Sequence, residues 1–330
     1  MLPSSFYSDL SEISGVQVRR DVPGSALSTF KLGGSLDCLV EVNSLTGLCQ
    51  FVKLSAVFGL PFRLLGNGSN VLFPDAGIKY PVVKFGRELQ RYFSLDRLYS
   101  DEDLLEVISK DGLGSCRDLT PAVFVYSAFS LMSLSRICAE QGLAGLEFAA
   151  GIPATLGGAL YMNAGAHGSD ISAVVQRVLI VNSDRGELSW VAQADSKYSY
   201  RHSVYQEEKL VVCGAELKFV QSEPQLVSEE RARCLAYRKR TQPLSLPSAG
   251  SVFRNPGSGL PSAGELIERA GLSGQRIGGV MVSPLHANWI VKVSDEARAG
   301  DVVKLISLVQ ERVLERSEVS LHCEIDCWSV

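Results

Sequence analysis

Two charged side chains lie in settings where each could act on an acidic ligand. Arg201 stands between aromatic and hydroxyl neighbours in YSYRHS, after a predicted strand, where its guanidinium could hold a carboxylate by two parallel hydrogen bonds. The alternative is an ordinary surface arginine. Glu324 lies in LHCEID, a predicted strand that is otherwise largely apolar, and carboxylates are seldom buried without a partner. Glu324 therefore lies either at an exposed edge or in a functional site.

A turn-rich segment, SAGSVFRNPGS, groups a hydroxyl, a guanidinium and an amide at Ser251, Arg254 and Asn255. The basic segment YRKRTQP precedes it and adds further positive charge. This combination suits a diphosphate sugar, because arginine and lysine bind phosphate oxygens through charge-assisted hydrogen bonds. The other interpretation is a solvated helix end followed by a loop.

Two glycine-rich stretches could let a ligand approach the backbone. LGNGSN (65–70) ends a predicted strand and offers N–H groups that suit a pyrophosphate, although it could be an ordinary glycine turn. AGIPATLGGALYMNAGAHG (150–168) is predicted to pass from a strand into a helix, where Gly157 and Gly158 leave room for another surface. Neither stretch matches the GxGxxG or GxxxxGK[ST] patterns, so an ordinary dinucleotide domain or P-loop is disfavoured.

The elements that position these residues follow from hydrophobic periodicity. DCLVEV, PFRLLG and PVVKF predict strands, with a helix between the first two that begins after Ser44. VVQRVLIVNSDRGELSWV predicts two strands around a turn, and KLVVCGAELKFV another strand. Beyond SEPQ the pattern turns helical in SEERARCLAYRKRT, AGELIERAGL and DVVKLISLVQERVLERS. In the last of these the residues predicted to form one buried face are Val302, Leu305, Ile306, Val309 and Val313.

The composition describes a globular chain of 330 residues, 46% hydrophobic and 21% charged, with room for two or three domains. No run of about 18 apolar residues occurs and no signal peptide is evident, so a cytoplasmic location without membrane insertion is expected. The net charge of −4 gives no general attraction to nucleic acid. The eight cysteines form no CxxC pair and lie mostly in apolar runs, which predicts buried, reduced thiols and no zinc site.

Taken in order along the chain, these motifs resemble those of the UDP-N-acetylenolpyruvoylglucosamine reductase family. The resemblance runs from about Ser28 to Ile325, and GSVFRNP with HANWI carries most of its specificity. It implies an α+β fold, with a two-lobed FAD-binding domain of the vanillyl-alcohol-oxidase type and a smaller α+β substrate domain. The implied boundaries are an N-terminal tail at 1–20, an FAD-binding domain at 21–221 and a substrate domain at 222–330. Within the FAD-binding domain, the two lobes lie at 21–86 and 120–221, and a surface insertion at 87–119 separates them.

The resemblance also assigns roles to individual residues of this chain. The implied catalytic residues are Arg201, Ser251 and Glu324. The implied FAD-binding residues are Leu65, Gly66, Asn67, Gly68, Ser69, Asn70, Gly151, Ile152, Pro153, Thr155, Gly157, Gly158, Asn163, Gly165 and Gly168. The implied substrate-binding residues are Tyr200, Arg238, Arg254, Asn255 and His286, and no metal is implied.

The reaction implied by the resemblance is the reduction of UDP-N-acetylglucosamine enolpyruvate to UDP-N-acetylmuramate for peptidoglycan. In the family, NADPH reduces a noncovalently bound FAD, and flavin N5 then gives hydride to the methylene carbon of the substrate. Negative charge spreads into the substrate carboxylate, which Arg201 and a protonated Glu324 would flank. Ser251 would deliver the proton, and the enzyme is expected to be a monomer.

Several features depart from the usual family pattern. Ala154 replaces the second glycine of GIPGT, His167 replaces a tyrosine, Lys292 replaces an asparagine, and LHCEI stands where LExEV is usual. The interval between Arg201 and Ser251 indicates the shorter subclass, without an additional tyrosine-bearing loop.

Two alternative functions remain. One is another FAD-dependent oxidoreductase of the same fold, which would lack the GSVFRNP loop; the other is a noncatalytic nucleotide-sugar-binding protein, against which the intact catalytic residues argue.

Overall fold

The structure, a computed structural model, describes residues 2–95 and 119–329. Its internal contacts divide the chain into two compact units. Unit 1 comprises Met1–Arg19, Leu39–Gly66 and Tyr80–Ala236. Unit 2 comprises Arg20–Cys38, Asn67–Lys79 and Tyr237–Val330. Each unit is therefore assembled from segments that are distant in the sequence.

Helices and short strands alternate along the described residues. The helices are α1 (Ser4–Ser11), α2 (Leu45–Val57), α3 (Leu131–Glu140), α4 (Leu156–Met162), α5 (Pro224–Thr241), α6 (Ala263–Arg269) and α7 (Ala299–Ser317). The strands of the first described range are β1 (Val16–Arg19), β2 (Val22–Pro23), β3 (Ser35–Leu36), β4 (Leu39–Val42), β5 (Arg63–Leu64), β6 (Val71–Leu72), β7 (Val82–Phe85) and β8 (Tyr92–Ser94). Those of the second range are β9 (Ala122–Tyr126), β10 (Leu143–Ala144), β11 (Gly165–Ala166), β12 (Ser169–Asp170), β13 (Val175–Asn182), β14 (Leu188–Ala192), β15 (Leu210–Lys218), β16 (Val220–Gln221), β17 (Arg276–Ile277), β18 (Val280–Val282), β19 (Ile290–Lys292) and β20 (Asp326–Cys327).

Two sheets form the frame of unit 1. One has the strand order β1-β4-β7-β5, in which β4, β7 and β5 are parallel and β1 is antiparallel to β4. The other has the order β14-β13-β15-β9-β8 and is antiparallel throughout. Helix α2 connects β4 to β5, as predicted. It begins after Ser44 because the Ser44 hydroxyl accepts a hydrogen bond from Gly47 N at 3.0 Å, which satisfies an N–H group that has no partner within the helix.

The antiparallel sheet of unit 1 packs against α3 and α4. Val123, Val178 and Ala215 of the sheet lie in one buried cluster with Leu134 of α3 and Leu160 of α4. Burial of each large aliphatic side chain contributes about 1.5–3 kcal/mol. This cluster fixes α4, and with it the glycine-rich stretch, on the sheet.

The core of unit 2 forms between helix α7 and the antiparallel sheet β17-β18-β19. The face of α7 that the spacing predicts is buried, and it consists of Val302, Leu305, Ile306, Val309 and Val313.

Segments from early in the chain complete unit 2. Strand β6 pairs in parallel with β20, and β2 pairs with β3. The Asp75 carboxylate accepts hydrogen bonds from Ala299 N and Gly300 N, each at 2.9 Å, in the first turn of α7. A carboxylate at this position satisfies N–H groups that the helix leaves unpaired and interacts favourably with the helix dipole. The segments Arg20–Cys38 and Asn67–Lys79 thus belong to the same folded unit as α7.

The predicted α+β class and main elements are confirmed, except that the strand predicted for LHCEID is wrong, since only an isolated bridge at Cys323 precedes the strand that begins at Asp326. Two regions also contain structure that was not predicted. Residues assigned to an N-terminal tail form α1 and β1. Residues 92–94, assigned to the insertion at 87–119, form β8 at the edge of the antiparallel sheet. Residues 96–118 of that insertion lie outside the described residues.

The cysteines differ from one another in exposure. Among the described residues, the buried free thiols are Cys38, Cys138, Cys213 and Cys234, and burial raises the pKa of the Cys138 thiol to about 12. Cys327 is exposed, contrary to the expectation of burial, because it lies on β20 in a sheet of two strands that leaves it near the surface.

In the described part of the chain, no helix combines the length and the apolar character that crossing a membrane requires.

Candidate active site

The glycine-rich stretch around α4 begins with a turn. The predicted strand before it is wrong, since a 3₁₀ helix, Glu147–Ala149, occupies this position. The chain curls here because Ile152 N donates to Ala149 O at 3.0 Å and Gly151 adopts a φ of 80°, a conformation that favours glycine. Pro153 then leads the chain toward the helix.

Thr155 joins the two glycine-rich stretches. Its hydroxyl begins α4 by accepting a hydrogen bond from Gly158 N at 3.2 Å. A Cβ on Gly66 would lie only 2.8 Å from the same hydroxyl oxygen, so a side chain at Gly66 would prevent this approach. The preceding residue, Leu65, is buried, and its N–H donates to Val83 O at 2.8 Å. The start of LGNGSN therefore lies against the start of α4.

The paired glycines of α4 face different surroundings. A Cβ on Gly157 would lie 2.8 Å from the Cβ of Ser127, which follows β9, so Gly157 lets the helix pack closely on the sheet. A Cβ on Gly158 would meet only the Thr155 hydroxyl oxygen, at 3.5 Å. Within the described structure, Gly158 therefore leaves open space beside α4 that a ligand could fill.

Asn163 ends α4 and links it to the turn that carries Arg201. It adopts the left-handed conformation, with a φ of 42°, that commonly ends helices. Its side-chain nitrogen donates to Ser199 O at 2.9 Å. Its side-chain oxygen is buried and has no hydrogen-bond partner among the residues described. Because buried polar atoms are nearly always paired, this oxygen indicates a donor supplied by a ligand or water.

A small hairpin of β11 and β12 follows α4. Gly165 is closely packed in it, because a Cβ there would lie 2.6 Å from Ser169 O. The connecting residues His167 and Gly168 both have positive φ, at 56° and 83°. The hairpin also receives Arg201, whose Nη2 donates to Gly165 O at 2.9 Å.

Arg201 lies in a tight turn rather than directly after a strand, because a 3₁₀ helix follows β14. Ser199 and His202 exchange two backbone hydrogen bonds of 3.1 Å across this turn. Arg201 itself has a φ of 55°, which is uncommon for a residue with a side chain. The ring of Tyr200 is half exposed, and its centroid lies 5.1 Å from the Arg201 guanidinium carbon, a cation–π distance.

The rest of LGNGSN, Asn67–Asn70, belongs to unit 2. Gly68 has a φ of 63°, and a Cβ there would lie 2.1 Å from Leu27 O, so only glycine fits this backbone. The side-chain nitrogen of Asn70 donates to Glu324 O at 3.1 Å. The loop therefore contacts the backbone of one predicted catalytic residue.

Ser251 and Glu324 lie on neighbouring segments of unit 2. Glu324 N donates to Val252 O at 2.7 Å, and Phe253 and Cys323 form an antiparallel bridge. Both Ser251 and Glu324 are half-buried. Ser69 is close to the residue before Ser251, since its carbonyl oxygen would lie 4.0 Å from a Cβ atom added to Gly250. Unit 2 thus brings two predicted catalytic residues and the end of the LGNGSN loop together.

Two arginines of unit 2 each carry a buried Nε atom that has no hydrogen-bond partner among the described residues. Arg238, near the end of α5, is only 8% exposed, and its Nε has no hydrogen-bond partner in the described ranges. Burial lowers the pKa of its guanidinium, although arginine starts so high that it stays charged. The Nε of Arg254 is likewise buried and unpaired, while its backbone N donates to His322 O at 2.9 Å. A buried guanidinium without a carboxylate favours an anionic ligand.

Asn255 and His286 both lie beside the start of α6. The Asn255 side-chain oxygen accepts from Ala263 N at 3.0 Å. A Cβ atom added to Gly264, in the first turn of α6, would lie 3.5 Å from the Cε1 atom of His286. Burial lowers the pKa of His286, so the ring is neutral near pH 7. Its Nδ1 accepts from Asn288 N at 3.3 Å, which places the ring proton on Nε2, where it can be donated.

Two residues that hold the backbone of the site, Gln206 and Ser127, were not predicted from the sequence. The side-chain nitrogen of Gln206 donates to Tyr161 O and Arg201 O, at 2.8 and 3.1 Å. Ser127 donates through its hydroxyl to Val212 O at 2.7 Å and supports Gly157 from the sheet. Tyr161 and Val212 are distant from these residues in the sequence, so no local pattern identifies the contacts.

Comparison with known proteins agrees with this arrangement. Residues 121–192, which include α4, match a family model described as an FAD binding domain. Residues 242–328 match the model of the C-terminal domain of UDP-N-acetylenolpyruvoylglucosamine reductase. Enzymes of that name from Anoxybacillus flavithermus and Bacillus subtilis are 38% and 36% identical, over 91% and 96% of this chain and 90% and 96% of theirs. The crystal structure of the Thermus caldophilus reductase is 30% identical, with a TM-score of 0.75, and the match covers 95% of this chain and all of that one.

The fold and these matches define an FAD-dependent oxidoreductase, with an FAD-binding domain and a smaller C-terminal α+β domain, as the resemblance implied. Within this class, the chain belongs to the UDP-N-acetylenolpyruvoylglucosamine reductase family.

Proposed function

We propose that this chain uses NADPH to reduce UDP-N-acetylglucosamine enolpyruvate to UDP-N-acetylmuramate, a step of peptidoglycan synthesis. The observation that carries the proposal is the pairing of the Ser251 and Glu324 segments in a chain of this family. A hydroxyl and a carboxyl on adjacent segments supply a proton donor and a group that can face the substrate carboxylate. The proposal is tested by anaerobic reduction with NADPH, followed by addition of the enolpyruvyl substrate, which should restore the oxidised flavin spectrum. Failure of either step would contradict it.

The residues around α4 fit FAD. Gly158 leaves the backbone of α4 accessible, and the buried side-chain oxygen of Asn163 lacks a partner in the described structure. We propose that the two glycine-rich stretches bind this cofactor, including the residues Gly151, Ile152, Pro153, Thr155, Gly165 and Gly168. Gly157, which was predicted to belong to this set, instead packs against Ser127. When bound, FAD would supply the hydride.

The chain's own residues manage charge and proton during the reaction. Addition of hydride to the methylene carbon leaves negative charge on the neighbouring carbon, delocalised into the carboxylate. Arg201 binds that carboxylate as a fixed positive charge, and Glu324 faces it. The Ser251 hydroxyl donates a proton to the carbon, which is basic enough to accept one from a weak acid. A preorganised charge of this kind stabilises the transition state more than the substrate.

The remaining predicted residues bind the UDP-sugar. Arg238 and Arg254, whose buried Nε atoms lack partners in the described ranges, are suited to the diphosphate. Neutral His286 donates from Nε2. Tyr200 offers an exposed ring, and Asn255 an amide whose oxygen already holds α6.

We expect Gly158→Ala to weaken FAD binding about 5- to 150-fold while the apo-protein becomes slightly more stable. The added methyl group enters space that the described chain leaves open, where overpacking against a ligand costs about 1–3 kcal/mol. Alanine is also the better helix former by about 1 kcal/mol. Titration of apo-protein with FAD and apo-protein melting temperature provide the measurements.

Gly157→Ala is the matched control for this test. Its methyl group would meet Ser127 at 2.8 Å, so it should lower the melting temperature of the apo-protein. Full FAD affinity in the Gly158→Ala protein would show that this side of α4 does not contact the cofactor.

We expect acid precipitation to release all flavin colour into the supernatant. Covalent flavin attachment commonly uses histidine or cysteine, and the two glycine-rich stretches contain only His167 of these types. Absorbance of the supernatant and the pellet measures the result. Colour in the pellet would contradict noncovalent binding, and a His167→Ala protein would then show whether this residue is the attachment point.

A further inference from the structure

The turn that carries Arg201 has a strained backbone. Lys197 and Arg201 have φ values of 48° and 55°, within six residues of each other. The left-handed conformation costs a residue with a side chain about 1–2 kcal/mol, so it persists only where surrounding contacts enforce it. Such strain is often found where a functional side chain must be aimed.

Gln206 supplies the contacts that enforce this conformation. Its side-chain amide carries two N–H groups, and these donate to Arg201 O at 3.1 Å and Tyr161 O at 2.8 Å. Tyr161 lies in the last turn of α4, where carbonyl groups have no partner within the helix. Gln206 therefore ties the carbonyl of the strained residue to the end of the glycine-bearing helix.

Gln206 is itself held in place. It ends a short 3₁₀ helix, Val204–Gln206, whose other two residues are buried in the core of unit 1. Ser203, just before this helix, donates through its hydroxyl to the same Tyr161 O at 2.6 Å. Because the residues that precede Gln206 are fixed in this way, its side chain loses little further conformational entropy when it bonds the Arg201 carbonyl group.

We infer that Gln206 is a positioning residue for Arg201, which aims the guanidinium at the substrate carboxylate by fixing the Arg201 backbone. The inference rests on the role proposed for Arg201. Gln206 does not touch the reacting atoms itself. Its effect should therefore appear only in the half-reaction that uses the Arg201 guanidinium.

Gln206→Met tests this, because methionine has a similar length and no N–H donor. Stopped-flow reoxidation of the reduced flavin by UDP-N-acetylglucosamine enolpyruvate should slow about 5- to 10-fold, the rate equivalent of one hydrogen bond. Reduction by NADPH and FAD content should stay at wild-type values, and the melting temperature should fall slightly because two hydrogen bonds are lost. Gln206→Lys, which restores a donor of similar reach, should recover part of the rate. Gln225→Met, at an exposed glutamine whose amide donates to Glu229, should have no effect.

A double-mutant cycle separates positioning from general structural support. In an Arg201→Ala background there is no guanidinium to aim, so Gln206→Met should change reoxidation less than twofold. An equal slowing in both backgrounds, or a slowing of both half-reactions in the Gln206→Met protein, would overturn the inference. So would wild-type reoxidation by Gln206→Met. Wild-type reoxidation by Arg201→Ala alone would instead overturn the role proposed for Arg201, and the inference with it.

Discussion

A Ser251→Ala protein is expected to accept electrons from NADPH at the wild-type rate and to pass them to the enolpyruvyl substrate about 10²- to 10⁴-fold more slowly. The change removes one oxygen atom from a half-buried side chain. The backbone of Ser251 stays paired with Trp289, so folding and flavin binding should be unaffected. Stopped-flow measurement of the two half-reactions separates these effects.

Two further variants make the Ser251 test specific. Ser251→Cys keeps a transferable proton and should recover part of the lost rate. Ser258→Ala removes an exposed hydroxyl from the same loop and should reoxidise normally. If the Ser251→Ala protein reoxidises at the wild-type rate, Ser251 is not the proton donor, and Glu324 becomes the next candidate.

Arg238→Met is expected to raise the KM for the UDP-sugar at least 30-fold while raising the melting temperature of the apo-protein. Loss of one partner of a buried charge pair costs about 2–5 kcal/mol of binding. Without substrate, however, Arg238 is a buried charge that no carboxylate of the described residues balances. Methionine has a similar length and removes the unfavourable desolvation of that charge. Steady-state kinetics and thermal unfolding provide the two measurements.

Arg240→Met is the matched control, because Arg240 lies on the same helix but is exposed. Its replacement should change the KM less than threefold, since exposed charges bind weakly and are screened by salt. An Arg238→Met protein with an unchanged KM would remove Arg238 from the substrate site. A lowered melting temperature would show that the guanidinium is balanced within the protein.

Local signals in the sequence were sufficient for much of the fold. The hydroxyl of Ser44 begins α2 through contacts within one turn, and the apolar spacing from Val302 to Val313 gives the buried face of α7. Both depend on residues that are close in sequence. The polarity and glycine content of the two glycine-rich stretches were also visible, and the family resemblance then implied that these stretches bind FAD.

Other features depend on packing between distant segments and left no local signal. The sequence treated Gly157 and Gly158 alike, but only the structure shows that Ser127 lies against Gly157. The side-chain amide of Gln206 bonds the carbonyl groups of Tyr161 and Arg201, and the neighbours of these residues in the sequence are ordinary. The family resemblance therefore implied the α+β class, whereas the contacts that support Arg201 could not be predicted from the sequence.

The Asp75 carboxylate at the start of α7 has a consequence for how the protein folds during synthesis. It bonds residues 224 and 225 positions later in the chain, and β6 pairs with β20 across a similar interval. Closing so long a loop is entropically costly and slows folding. On the ribosome, residues 67–79 must wait for α7 and β20 to emerge before unit 2 can form. Meanwhile the apolar residues of β6 remain without their partner strand, so nascent chains are most vulnerable to misassembly and to chaperone capture during this interval.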